Sequence, residues 1–156
     1  MLKNLSLFPP VFLAPMAGVT DTPSREIAQL FNPGLVVSEM IASSEQNKEY
    51  FERTVRSNLS YKRKSDSRCP TAIQIAGNEK DWMAYAAKVI YNEGGDLIDI
   101  NMGCPAKKIV GKLAGSALMR EPLTALKLIE SVVEASDLPV TLKMRLGWDQ
   151  ENINAK

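Results

Sequence analysis

One cysteine of this sequence follows an apolar run and precedes two lysines. The run at residues 97–100 ends in Asn-Met-Gly-Cys-Pro, and Lys107 and Lys108 come shortly after Cys104. This pattern predicts a buried strand that delivers a thiol into a tight loop beside two positive charges. Alone, such a cysteine would more often be a small buried hydrophobic residue. Parallel α/β enzymes, however, build active sites from loops at the carboxyl ends of strands, so Cys104 is a candidate catalytic residue.

Polar side chains also occur in two other apolar runs. Gln74 lies within residues 72–76, and Lys143 and Arg145 follow residues 140–142. A lone amide in a buried strand needs hydrogen-bond partners, and a lysine in a core strand is rarely buried without one. Structural alternatives stay open: Gln74 can be a satisfied core amide, and Lys143 can form an ion pair with Glu39 or Asp99. Together with Cys104, these groups indicate a site.

Short apolar runs alternate with helical patterns along the chain. Strands are predicted at residues 11–14, 35–37, 71–75, 97–101 and 140–143. Helices are predicted after Asp21-Thr22-Pro23, from Ser43 or Ser44 to about Arg53, after an Asn78 cap, and at residues 123–135. This order predicts a parallel α/β fold, either a doubly wound sheet or a (β/α)8 barrel. No G-x-G-x-x-G turn follows the first strand, which weakens the dinucleotide-binding version.

Composition excludes several classes of function. The 156 residues are 45% hydrophobic, enough for one domain with a sizeable core. The net charge of +1 favours neither the presence nor the absence of a nucleic-acid partner. The chain has no histidine, which removes histidine metal sites and histidine-activated nucleophiles. Two cysteines without a signal peptide indicate free thiols in the cytoplasm, and no run approaches the about 18 apolar residues of a membrane span.

A basic stretch lies between the second and third predicted strands. Residues 53–68 contain six basic side chains and one acid, and the basic ones are Arg53, Arg56, Lys62, Arg63, Lys64 and Arg68. The stretch fits an RNA-backbone contact, and it equally fits a solvated loop.

Five motifs of the sequence resemble those of the tRNA-dihydrouridine synthases, in the same order. They are Pro-Met-Ala-Gly-Val-Thr-Asp at residues 15–21, Ser-Glu-Met at 38–40, Gln-Ile-Ala-Gly at 74–77, Asn-Met-Gly-Cys-Pro at 101–105 and Lys-Met-Arg-Leu-Gly-Trp at 143–148. Gly-Cys-Pro-Ala-Lys-Lys at 103–108 is most similar to the bacterial B-type branch. The resemblance covers nearly the whole chain and implies that tRNA uridine is reduced to 5,6-dihydrouridine.

The resemblance implies FMN as cofactor and NADPH or NADH as reductant. Pro15, Met16 and Ala17 match positions along the flavin ring, and Gln74 and Lys143 match side chains that bond its polar edge. A cation at that edge also has a physical role, because it stabilises the negative charge of a reduced flavin.

The resemblance also implies a substrate side of the site. Cys104 matches the general acid that protonates C5 of a flipped-out uracil, and Asn101 matches a residue near flavin and uracil. Arg145 is expected to contact flavin or substrate, and Lys107 and Lys108 are expected to face RNA phosphate. No metal is implied.

By this resemblance, the chain is the N-terminal portion of an FMN-binding TIM barrel, truncated to about its first five strands. The later strands, the loops that hold a cofactor phosphate in such barrels, and a helical tRNA-binding domain are then absent. A second chain supplying the missing strands is one resulting expectation. The open sheet edges predict marginal stability. The missing cofactor-phosphate site predicts weak FMN binding.

Two other functional readings stay open. The chain can be an inactive fragment of a truncated or split gene, which would bind no flavin. It can also be another FMN barrel that oxidises a free dihydropyrimidine acid, although the loop at residues 103–108 and the run at 143–148 argue against that enzyme.

Overall fold

The computed structural model describes residue 5, residues 7–60 and residues 69–155, which form one parallel sheet with helices between its strands. The strands are β1 (Phe12–Leu13), β2 (Leu35–Val37), β3 (Ile41–Ala42), β4 (Thr71–Ala76), β5 (Leu97–Met102) and β6 (Val140–Met144). The helices are α1 (Thr22–Gln29), α2 (Lys48–Ser60), α3 (Lys80–Asn92), α4 (Lys107–Val110) and α5 (Pro122–Ala135).

The strand order is β1-β2-β4-β5-β6, and every pair is parallel. The short strand β3 also pairs with β4, beyond the point where β2 ends. We therefore regard β2 and β3 as two parts of one interrupted strand, so that the sheet has five strand positions. This confirms the prediction of a parallel α/β chain of truncated TIM-barrel type.

Successive side chains of the central strands point to opposite faces of the sheet. Ile73 and Ile75 of β4, and Ile98 and Ile100 of β5, belong to the main core. That core includes side chains of α2, α3 and α5, among them Val55, Met83, Ile90, Leu128 and Val132. The intervening residues Gln74, Asp99 and Asn101 therefore point to the opposite face. This face is polar at the carboxyl ends of the strands, whereas near their amino ends it carries the small cluster Leu35, Val37, Ala72 and Leu97.

Two local predictions were wrong. The second helix does not end near Arg53 but continues to Ser60, because Val55 and Leu59 extend its buried stripe. The helix after β4 is not capped by Asn78: Glu79 is its N-cap residue, and no side-chain cap bond forms. By contrast, Asp21 caps α1 as predicted, since its carboxylate accepts a hydrogen bond of 3.0 Å from the backbone N–H of Ser24.

Large apolar side chains are exposed at both ends of the strand order. On α1 and just beyond it, Ile27 and Phe31 are 61% and 82% exposed, and on α5 Leu123 is 76% exposed. Within the described residues, β1 and β6 each pair with a single strand. Among these same residues, every helix is too short or too polar to cross a membrane.

Candidate active site

The carboxyl ends of the parallel strands meet at one edge of the sheet and form a cleft. Its volume is about 270 Å³, near the lower end of the range for small-molecule sites, roughly 300 Å³. It is lined by Pro15, Ala17, Met40, Gln74, Asn101, Gly103, Cys104, Pro105, Lys143 and Arg145. Seven of the residues predicted from the sequence therefore come together from four separate parts of the chain.

Three other predicted site residues do not line this cleft. Met16 is adjacent in sequence, but its side chain is 42% exposed. Lys107 is exposed on α4, and Lys108 lines a separate groove of about 390 Å³ with Glu39 and Lys112. The two lysines lie next to the cysteine loop without facing the cleft.

The cysteine loop is held by hydrogen bonds to its backbone. The Asn101 Oδ1 atom accepts from the backbone N–H groups of Gly103, at 3.2 Å, and Cys104, at 2.9 Å. The Arg145 Nε atom donates to the Gly103 carbonyl oxygen at 2.8 Å. The Ser116 N–H group donates to the Cys104 carbonyl oxygen at 2.9 Å. These bonds fix the backbone of Cys104, which is itself half-buried and lines the cleft.

A glycine packs directly against this loop. Gly115 has a φ of +59°, and a Cβ atom there would lie 2.6 Å from the Cys104 carbonyl oxygen and 3.3 Å from the Cys104 Cβ. A side chain at this position must therefore displace the catalytic candidate.

We expect Gly115→Ala to destabilise the chain more than the matched variant Gly94→Ala. Gly94 also has a positive φ, +81°, but nothing lies within 4 Å of its added Cβ. Gly94→Ala should cost about 1–2 kcal/mol of backbone strain. Gly115→Ala should cost about 1–3 kcal/mol more through overlap. Chemical denaturation measures both, and equal losses would contradict this packing of Gly115 against the loop.

A buried polar network lies beneath the cleft. The Asn101 Nδ2 atom donates to Gln74 Oε1 at 2.9 Å, and the Gln74 Nε2 atom donates to Asp99 Oδ2 at 2.5 Å. Gln74 is therefore a satisfied amide that also reaches the cleft. Burial raises the pKa of Asp99, while hydrogen bonds from Gln74 and Thr141 and the charge of Lys143 oppose that rise.

Lys143 stands beside Asn101 at the end of β6, where the two residues are register partners. Its side chain is exposed. No carboxylate of the described residues lies within salt-bridge distance of it, so the alternative of a structural ion pair with Glu39 or Asp99 is wrong. The cation is therefore available at the edge of the cleft.

The loop after β1 forms the opposite wall. The Gly18 N–H group donates to Glu39 Oε1 at 2.6 Å, which ties this loop to the segment after β2. The Met16 N–H group donates to Thr20 Oγ1 at 2.9 Å. These bonds hold Pro15 and Ala17 against the cleft, with little side-chain bulk to block a flat ligand.

The two cysteines lie at opposite edges of the sheet. Cys69 precedes the amino end of β4, whereas Cys104 follows the carboxyl end of β5, about 20 Å away for strands of this length. Neither cysteine is in a disulfide bond, as predicted, and burial raises the pKa of the Cys69 thiol. Among the described residues, no group of His, Cys, Asp and Glu side chains is arranged to hold a metal ion.

The basic stretch is only partly described. Arg53 lies over the Tyr50 ring at 5.8 Å, and Arg56 is 3.6 Å from Glu93 and 4.0 Å from Glu52. Lys62, Arg63, Lys64 and Arg68 lie outside the described residues, so the RNA-contact interpretation of this stretch stays a prediction.

Sequence reasoning missed the structural roles of Asp99 and Gly115. Asp99 had been considered only as an ion-pair partner of Lys143, although its place in an apolar strand marked it as a buried group that needs donors. Nothing in the sequence marks Gly115 as a contact of Cys104, because that contact depends on how the segment after α4 folds back.

The sequence matches one family of known proteins along most of its length. The family model described as dihydrouridine synthase matches residues 12–156. A probable tRNA-dihydrouridine synthase of Rhodobacter capsulatus is 53% identical over 99% of this chain and 46% of its own length. A tRNA-dihydrouridine synthase B of Pseudomonas putida is 46% identical over 92% of this chain and 41% of its own length. The chain thus spans less than half the length of these curated relatives.

Proposed function

Because this chain belongs to the dihydrouridine synthase family, we propose that its cleft is part of an active site that reduces uridine in tRNA to 5,6-dihydrouridine. The observation that carries the proposal is the meeting of Cys104, Asn101, Gln74 and Lys143 at one edge of the sheet. We further propose FMN as cofactor, NADPH or NADH as reductant, and a cytoplasmic setting, since neither cysteine is in a disulfide bond. Residues 1–156 then form the N-terminal portion of the catalytic barrel.

The chemistry of the cleft fits a flavin ring. One wall consists of Pro15 and Ala17 and can lie against an aromatic face. The other side presents the Gln74 amide and the Lys143 ammonium, which can bond carbonyl oxygens and ring nitrogens. A cation at that edge favours the anionic reduced form of a flavin. Met16 is proposed to contact the same ring through its backbone.

Cys104 is proposed to be the proton donor. When bound, reduced FMN supplies a hydride to C6 of the uracil. The Cys104 thiol gives its proton to C5, so that one hydride and one proton add across the C5=C6 bond, and the thiolate later regains a proton from water. Cysteine is among the side chains that serve as general acids. The base must first leave its stack.

The remaining polar residues are proposed to hold and present this donor. Asn101 fixes the cysteine loop through two N–H groups and stays close enough to the cleft to contact uracil. Arg145 holds the loop from the other side through the Gly103 carbonyl and lines the cleft. Lys107 and Lys108 are exposed next to the loop and are proposed to contact tRNA phosphate, which makes binding dependent on salt.

Incubation of the protein with FMN, NADPH or NADH, and an unmodified tRNA transcript tests this function. Nucleosides from the digested tRNA should contain dihydrouridine, identified by mass as uridine with two added hydrogen atoms. Oxidation of a free dihydropyrimidine acid with no response to tRNA would contradict the proposal and favour another flavin enzyme. Absence of flavin bands in the visible spectrum after reconstitution with FMN would favour an inactive fragment.

A further inference from the structure

We propose that Asp99 is a positioning residue that fixes the orientation of two buried amides and, through them, the cysteine loop. Asp99, Gln74 and Asn101 are 6%, 1% and 8% exposed, and together with Thr141 they form the buried polar network. Gln74, Asp99 and Thr141 are direct register partners across β4, β5 and β6. They therefore form one layer directly below the cleft, and of the three only Gln74 has a part in the proposed chemistry.

The loop determines the direction of the hydrogen bonds at one end of the network. Two backbone N–H groups, those of Gly103 and Cys104, point at the Asn101 side chain. Only the amide oxygen can accept both, so the Asn101 NH2 group must face Gln74. Gln74 must then present its oxygen to Asn101, as it does at 2.9 Å.

Asp99 determines the direction at the other end. Once its oxygen faces Asn101, Gln74 directs its NH2 group at Asp99, where it donates to Oδ2 at 2.5 Å. The Thr141 hydroxyl donates to Asp99 Oδ1 at 2.7 Å. A carboxylate is an acceptor at both oxygens, so the network has one compatible direction throughout. If Asp99 could not accept, the Gln74 amide would be free to turn over and oppose the orientation of Asn101.

This inference concerns the site of the proposed function, and its bearing on catalysis rests on that function. The role of Asp99 in holding the loop does not rest on the proposed function, because the network holds the loop with or without flavin. The test therefore reads the loop directly, through hydrogen exchange of the Gly103 and Cys104 amides measured by NMR on the full chain. The Ile98 amide, bonded to the Pro139 carbonyl oxygen at 3.0 Å, serves as a reference in the core.

Two substitutions of Asp99 separate orientation from charge. Asp99→Leu removes both acceptors and should speed exchange at Gly103 and Cys104 about tenfold relative to Ile98. Asp99→Asn should leave that ratio within about twofold of the parent. Its oxygen can still face Gln74 while its NH2 group faces Thr141, since a hydroxyl both donates and accepts.

Reversing the network provides a rescue that a merely structural role would not give. In the Asn101→Asp variant, the carboxylate can still accept from the loop N–H groups. Its second oxygen, however, needs a donor, so the Gln74 amide must turn and place its own oxygen against the Asp99 carboxylate. We expect the single variant to speed exchange of both loop amides about tenfold. In the double variant Asn101→Asp with Asp99→Asn, every donor again has an acceptor with the direction reversed, and slow exchange should return.

The outcomes decide the proposal in each case. Unchanged loop exchange in Asp99→Leu, or a double variant that exchanges as fast as Asn101→Asp, overturns it. If a single variant does not fold, recovery of a cooperative melting transition in the double variant supports the proposal, and failure to recover it overturns the proposal. Absence of dihydrouridine formation by the parent chain, with its loop amides protected, would instead count against the proposed function alone.

Discussion

Replacing Cys104 with alanine is expected to lower the rate of dihydrouridine formation about 100- to 10,000-fold, the usual contribution of a positioned general acid. The thiol lies at the carboxyl edge of the sheet, in a loop held by Asn101, Arg145 and Ser116. Alanine keeps that backbone and removes only the proton donor. The measurement is dihydrouridine formed in tRNA per enzyme per minute under saturating NADPH, determined after digestion of the tRNA.

Cys69→Ala is the matched control for this prediction. Cys69 is also half-buried and outside any disulfide bond, but it precedes the amino end of β4, at the opposite edge of the sheet. Its replacement should leave the rate within about twofold of the parent rate, since a substitution away from the site and from the main core changes the stability of the fold little. If both alanine variants turned over tRNA at the parent rate, Cys104 would not be the proton donor.

Replacing Lys143 with methionine is expected to weaken FMN binding about 10- to 100-fold, the range of a lost hydrogen bond to a charged group. Methionine keeps most of the length of the side chain and removes the cation. Lys143 lines the cleft and stands beside Asn101 in the register of β5 and β6. Quenching of flavin fluorescence on titration with the protein measures the affinity.

Lys88→Met controls for the loss of one positive charge. Lys88 is exposed on α3, whose buried side chains belong to the main core rather than to the cleft. The Lys88→Met variant should bind FMN with the same affinity as the parent protein. An equal loss of affinity in both variants would mean that net charge, and not the position of Lys143, supports binding.

The sequence was sufficient to predict the elements that carry the site. Parallel strands buried on both faces appear as mostly apolar runs, and β4 and β5 are buried from end to end. A polar residue inside such a run has few explanations, which is why Gln74 was recognised, whereas the role of Asn101 was implied by the family resemblance. Because the carboxyl ends of parallel strands share one edge, their meeting with Cys104 followed from topology.

Local boundaries could not be predicted equally well. The helix α2 extends to Ser60 because Val55 and Leu59 pack into the core, and this packing depends on the sheet beneath them. The short strand β3 is recognisable only through its pairing with β4. The helix α1 forms where the sequence predicts a helix, yet its Ile27 is 61% exposed, since helical periodicity does not show what a helix packs against.

The contacts that support the cleft from below and behind could not be predicted from the sequence either. The role of Asp99 depends on its register between Gln74 and Thr141, which no single strand reveals. Arg145 was expected to touch flavin or substrate, and its bond to the Gly103 carbonyl became evident only from the geometry. Such contacts join residues far apart in the chain, so motif spacing alone cannot predict them.

The central claim is that the flavin ring binds in the cleft beside Cys104, and titration of the isotope-labelled chain with FMN tests it most directly. The amide NMR signals of Ala17, Gln74, Asn101 and Cys104 should shift together in proportion to bound FMN, even if binding is weak. Shifts confined to another surface, such as the groove lined by Tyr91 and Ser136, would contradict the claim. A folded spectrum that does not change at saturating FMN would contradict it equally.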